Sequence, residues 1–134
     1  MSEQGEILNQ VNAIVLQITE CNVTDWTVSV IIATNRTCRA SQLSLSITGL
    51  KTVITVRAIS AYVEADYLPS EMEKEILDSL ISLADYIYSK NPWLWEKCLK
   101  ESVDVLYNYS TNRQFLIFAI TEAIATYVIE NEME

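Results

Sequence analysis

Apolar residues recur along this chain at two different periods, and the period changes with position. In residues 3–20, Ile7, Val11, Ile14 and Ile18 fall four, three and four apart, with Leu8 and Val15 widening the stripe. That spacing predicts an amphipathic helix. Glu3 and Glu6 suit the positive end of its dipole. In residues 26–33 the pattern becomes alternation: Trp26, Val28, Val30 and Ile32 against Thr27, Ser29, Ile31 and Ala33. Period two with β-branched residues predicts a strand. Leu43, Leu45 and Ile47 alternate with Ser44 and Ser46, a second strand. Thr48-Gly49 makes a tight turn, and 52–56 is a β-branched third strand. The expected topology is a three-strand antiparallel meander. A rival pattern runs through the same residues. Leu43, Ile47, Leu50, Ile54, Ala58, Ala61, Ala65 and Leu68 also fit helical spacing, which would make 42–67 one helix and the protein an all-α bundle. The β-branched run 53–56 and Gly49 weigh against that rival.

The second half of the chain is plainly helical. Ser70-Glu71-Met72-Glu73 has the form of a capping box. Ile76, Leu77, Leu80, Leu83, Ala84 and Ile87 then form a buried stripe. Asn91-Pro92 ends that helix and starts another, with Asn as cap and Pro at the first position. Trp95, Cys98, Leu99, Ser102, Val105, Leu106 and Tyr109 line its inner face. Thr111 to Gln114 repeats the capping logic and opens the last helix. Residues 115–129, FLIFAITEAIATYVI, are apolar on nearly every side. Such a helix is surrounded by protein or by lipid. Fifteen residues span about 22 Å, short of the roughly 30 Å hydrocarbon core, and Glu122 sits mid-run. The expectation is therefore the central helix of a water-soluble core. The fold class expected is α+β and helix-dominated: an N-terminal helix, the short meander, then three antiparallel helices.

Length changes this picture little. A chain of 134 residues forms one domain spanning 1–134, large enough to bury a core without staples. Two glycines and two prolines are few, which favours helices as the majority element. Cys21, Cys38 and Cys98 are an odd, unclustered set. They fit free thiols better than a disulfide framework or a zinc site. The opening MSEQGEILNQ lacks the basic n-region of a secretory signal, so a cytoplasmic protein is expected.

Charge changes the picture more. The net charge is −9, yet residues 26–63 hold four bases (Arg36, Arg39, Lys51, Arg57) and no acid. These four are the candidate anion-binding residues. Nucleic acid is not the expected partner, because the acidic remainder repels phosphate. Pairing with acids of the helices, or with a second copy, is the preferred use of the four bases. Glu122 is the candidate buried carboxylate. It requires either a solvent-facing line on its helix or an ion pair with Arg57 or Arg113.

Candidate catalysis is sparse. The chain has no histidine, which removes the commonest general base and metal ligand. No glycine-rich phosphate loop, calcium loop or metal-ligand spacing occurs, so neither cofactor nor metal is expected. Aromatic residues crowd the second half. Trp93 and Trp95, two apart on a helix, point about 200° apart, so both cannot face one core. Trp93, Tyr86, Tyr88 and Tyr107 are the interface candidates, since exposed aromatics are enriched at contact hot spots. The expected function is a non-catalytic protein–protein interaction module, a homodimer meeting through the sheet edge or the Trp93 face. An anion or nucleic-acid binder is the alternative. The lack of motifs fits a lineage-specific protein of the kind viruses and mobile elements carry.

Overall fold

The structure is a computed structural model that describes residues 3–20, 23–39, 45–105 and 113–133. Among them are six α-helices and no strand: α1 (Glu3–Thr19), α2 (Val23–Arg39), α3 (Ile47–Glu64), α4 (Glu73–Lys90), α5 (Pro92–Val105) and α6 (Arg113–Met133). A single 3₁₀ turn, Ser70–Met72, precedes α4. The fold is all-helical, so the α+β expectation with its three-strand meander is overturned. The first predicted strand lies inside α2, and the third lies inside α3. Ile47 and the Thr48-Gly49 pair open α3 instead of forming a strand end and a turn. The helical rival for 42–67 has the helix right but not its bounds or its face. α3 covers only Ile47–Glu64 of the expected 42–67, and Ile47, Leu50 and Ala65 of the expected stripe are exposed. Residues 42–44, with Leu43 and Ser44 of the second expected strand, lie outside the described residues.

Two helices form the centre. α3 packs against α1, α2 and α6, while α6 packs against α3, α4 and α5. Each is apolar on most of its circumference because protein covers it from several directions. On α3, Val53, Val56, Ile59, Tyr62 and Val63 are buried. On α6, Ile117, Ala123, Ile124, Tyr127 and Val128 are buried. The α1 stripe of Ile7, Val11, Ile14 and Ile18 is buried as its spacing requires. So is the α4 stripe of Ile76, Leu77, Leu80, Leu83 and Ile87. No helix among the described residues is long and apolar enough to cross a membrane.

The helix ends show how local chemistry fixes the joints. Ser46 caps α3, its Oγ accepting from the Gly49 N–H at 3.0 Å. α3 ends in a Schellman arrangement. Asp66 takes the left-handed conformation at φ 63°, and the amides of Asp66 and Tyr67 donate back to Val63 and Tyr62. Asn91 both terminates α4 and caps α5, its Oδ1 accepting from the Leu94 N–H at 3.2 Å. The Ser70 capping box is not made. Pro69 already starts a 3₁₀ turn, which places Ser70 inside the turn and leaves neither start with a side-chain cap. The capping sequence at 111–112 lies outside the described residues.

Candidate functional site

The basic residues converge where α2, α3 and α6 meet. Arg57 projects from α3 between the other two helices. Its Nη1 donates to the buried Thr37 Oγ1 of α2 at 3.2 Å, and its Nη2 lies 3.7 Å from Glu122 Oε1 of α6. Ser60 stands three residues further along α3, on the same face as Arg57. One more turn on, Glu64 holds Arg36 of α2 with Nη1 3.5 Å from Oε2. Arg36, Arg57, Ser60 and Glu122 line an open cleft of about 310 Å³. Its walls carry both signs of charge on separate helices. Of the two arginines that the sequence offers Glu122, the structure supplies Arg57.

The four predicted bases do not share one face. Arg36 and Arg57 reach the cleft. Lys51 is exposed near the start of α3 and is not part of the wall. The side chain of Arg39 lies outside the described ones. Thr37, Ser60 and Glu64 are the contributors that sequence reasoning missed. Their signal is helical: Arg57, Ser60 and Glu64 are spaced three and four apart, which only matters once the segment is a helix.

A different feature occupies the outward side of α2. Val23, Val28 and Ile31 are 62%, 41% and 56% exposed, and Thr24, Thr27 and Asn35 are exposed beside them. The inward side carries Trp26, Ser29, Ala33 and Thr37, with the last three fully buried. Part of the apolar surface of α2 thus faces outward, while Trp26 still packs on the core and Val30 and Ile32 are half-buried. Burying hydroxyls on the inward side is cheap because each finds a partner, one within the helix and one on α3. Ser29 Oγ donates to Asp25 O at 3.0 Å, and Thr37 accepts from Arg57.

The aromatic candidates divide. Trp93 is 70% exposed and Trp95 only 4%, as their opposed directions on α5 require. Lys97 Nζ sits 5.9 Å from the centre of the Trp93 ring, and Lys90 Nζ 5.5 Å from that of Tyr86. Tyr86 is half-buried and Tyr88 exposed. Tyr107 lies outside the described residues.

Two buried ionisable groups face the core instead of the cleft. Cys98 Sγ donates to Glu130 Oε2 at 3.5 Å, an oxygen that Lys97 Nζ also approaches at 3.5 Å. Burial, reinforced by the Glu130 charge, pushes the Cys98 thiol up to about 12. Tyr127 donates to Glu3 Oε1 and meets Trp95 edge-on at 6.4 Å between ring centres. Burial, then the bond to Glu3, raises its phenol well above the usual range. A thiol held protonated is a poor nucleophile. Among the described residues no group of three His, Cys, Asp or Glu side chains could hold a metal ion.

No protein-family model matches the chain, and no curated protein and no solved structure matches it either. Function therefore has to be argued from these surfaces.

Proposed function

We propose that this protein is a non-catalytic protein–protein interaction module that self-associates through the outward face of α2. The observation that supports it is the set of apolar residues on the outward side of α2. Val23, Val28 and Ile31 stand in solvent while Ser29, Ala33 and Thr37 occupy the core side. Apolar side chains standing outward among Thr24, Thr27 and Asn35 have a reason to exist if another protein surface covers them. Charge favours a second copy as that surface. The chain carries a net −9, and most of α2 lies in the segment 26–63, which holds four bases and no acid, with Asp25 in the first turn of the helix. Two copies meeting there keep the strongly acidic parts of the chain apart. A two-fold contact of one helix face on its own copy is the simplest closed assembly. The Trp93 face is second choice, because it belongs to the strongly acidic half of the chain. Anion or nucleic-acid binding has less support, since Arg36 and Arg57 each stand beside a carboxylate.

Sedimentation equilibrium across a wide concentration range tests the reading. The expected result is a dimer that Ile31→Glu converts to monomer with its helical circular dichroism intact. A strict monomer at the highest concentration, or a dimer that ignores Ile31→Glu and Val28→Glu, removes it.

A further inference from the structure

The cleft between α2, α3 and α6 holds polar groups whose hydrogen-bonding capacity is mostly unspent. A guanidinium has five N–H donors in a fixed fork. Arg57 is the most enclosed charge of the wall, its side chain 21% exposed, yet it makes one hydrogen bond, to Thr37. Its 3.7 Å approach to Glu122 is an ion pair too long for a hydrogen bond. Among the described residues Glu122 and Ser60 have no hydrogen-bond partner for their side chains either. A half-enclosed arginine, a carboxylate and a hydroxyl thus surround about 310 Å³ of open space. Of the charged groups only Arg57 is mostly shielded from water, so a matching ligand gains chiefly at the Arg57 donors left unfilled.

The charge balance decides which ligand chemistry fits. Arg36 and Arg57 are each matched by a carboxylate, Glu64 beside the cleft and Glu122 in its wall, so the charges balance, with the arginines on α2 and α3 and Glu122 on α6. A simple anion would bring a net negative charge into a protein already at −9. A zwitterion brings no net charge and offers each wall the opposite sign. The volume is at the small end of ligand sites, which run from about 300 to 1,000 Å³. We propose that the cleft binds a small zwitterion of the α-amino-acid class. The ligand carboxylate takes N–H donors of Arg57 that Thr37 does not use, with Arg36 and the Ser60 hydroxyl alongside. The ligand ammonium sits against Glu122, lengthening or opening the Arg57–Glu122 pair as it enters. This site is separate from the outward face of α2 and does not depend on self-association.

The test is titration of the full chain, by calorimetry and by amide chemical shifts, with free amino acids of graded size. Acetate, methylammonium and inorganic phosphate are the single-charge and anion controls. The expected result is saturable binding of at least one amino acid, with acetate and methylammonium each weaker by about tenfold or more. Glu122→Gln and Arg36→Gln, both at half-exposed side chains and checked for an unchanged thermal melt, should each weaken it by about tenfold. Three results overturn the proposal: no amino acid saturates the protein; acetate or phosphate binds as tightly as the amino acids; or both variants bind like the parent chain.

Discussion

Glu132, near the end of α6, closes the first turn of α3 by accepting two hydrogen bonds from Ser46, 86 residues earlier in the chain. The Ser46 N–H donates to Oε2 at 2.9 Å and the Ser46 hydroxyl to Oε1 at 2.5 Å. A carboxylate at this place meets the positive end of the α3 dipole. It ties the two central helices together at one end, where packing alone would leave them free to fray. The absence of a side chain at Gly49 makes room for it. A Cβ built there would lie 2.6 Å from Glu132 Cδ.

That geometry predicts a coupling. Glu132→Ala should cost about 1 kcal/mol, the worth of a charge-assisted contact at a helix start. Gly49→Ala alone should change little. The gain in helix propensity, about 1 kcal/mol, is offset by expulsion of the carboxylate from Ser46. In the Glu132→Ala background the same substitution should stabilise by its full value. Urea denaturation of the four proteins measures the cycle. Simple additivity within about 0.3 kcal/mol would show that Gly49 and Glu132 do not compete for one space.

The two tryptophans of α5 should behave as opposites. Trp95 is buried against Tyr127, so Trp95→Ala should cost about 3–5 kcal/mol. Trp93 has only the Lys97 ammonium over its face, so Trp93→Ala should cost no more than about 1 kcal/mol. Fluorescence separates them without unfolding. Trp93→Phe should remove most of the emission that acrylamide quenches readily, the partly buried Trp26 supplying the rest, and Trp95→Phe should leave that fraction in place.

Much of this architecture is written in the spacing of apolar residues, and the exceptions have one cause. The stripes of α1 and α4 are buried as their periods require, and the opposed Trp93 and Trp95 follow from helical geometry alone. α2 was misread as a strand because its core side is made of Trp26, Ser29, Ala33 and Thr37. Small and hydroxyl residues carry no hydrophobic period, while Trp26, the outward Val28 and the half-buried Val30 and Ile32 supply a false alternation. α3 was misread because Val53, Ile54, Thr55 and Val56 favour strands. Burial of α3 by three neighbouring helices outweighs that preference, which amounts to a few tenths of a kcal/mol per residue. The candidate cleft was half legible for the same reason. Arg36, Arg57 and Glu122 stood out as charges, but Ser60, Thr37 and Glu64 join them only through helical spacing.

Asp66 offers a test of how α3 stops. It is the one non-glycine residue among those described with positive φ, and its conformation is what lets Tyr67 bond back to Tyr62. Side chains resist this region, aspartate less than most and β-branched residues strongly. Asp66→Gly should therefore stabilise by about 0.5 kcal/mol, and Asp66→Val should destabilise by about 1–2 kcal/mol. Thermal melts should rank the three proteins Gly, Asp, Val. Any other order would mean that another arrangement ends the helix.

The buried thiol and phenol make the fold sensitive to base. Cys98 is raised from 9.0 to about 12 in the folded protein, first by burial and then by Glu130. Tyr127 is raised above its ordinary 10.0, first by burial and then by its bond to Glu3. Both groups keep their protons in the native state at a pH where the unfolded chain has lost them. Above pH 9 the unfolded chain therefore binds fewer protons than the native one, and stability falls as pH rises. Below pH 9 the contribution is complete and these two groups add no slope. Between pH 9 and about 12 each group adds up to about 1.4 kcal/mol per pH unit once its unfolded form has ionised, thiol first and phenol next. Urea midpoints measured across this range should be flat and then drop. Tyr127→Phe should start from a lower midpoint, because Glu3 loses its donor, but should descend less steeply above pH 10. Cys98→Ala should delay the onset of the drop. If parent, Tyr127→Phe and Cys98→Ala proteins lose stability along parallel curves, these protons are not what alkali removes.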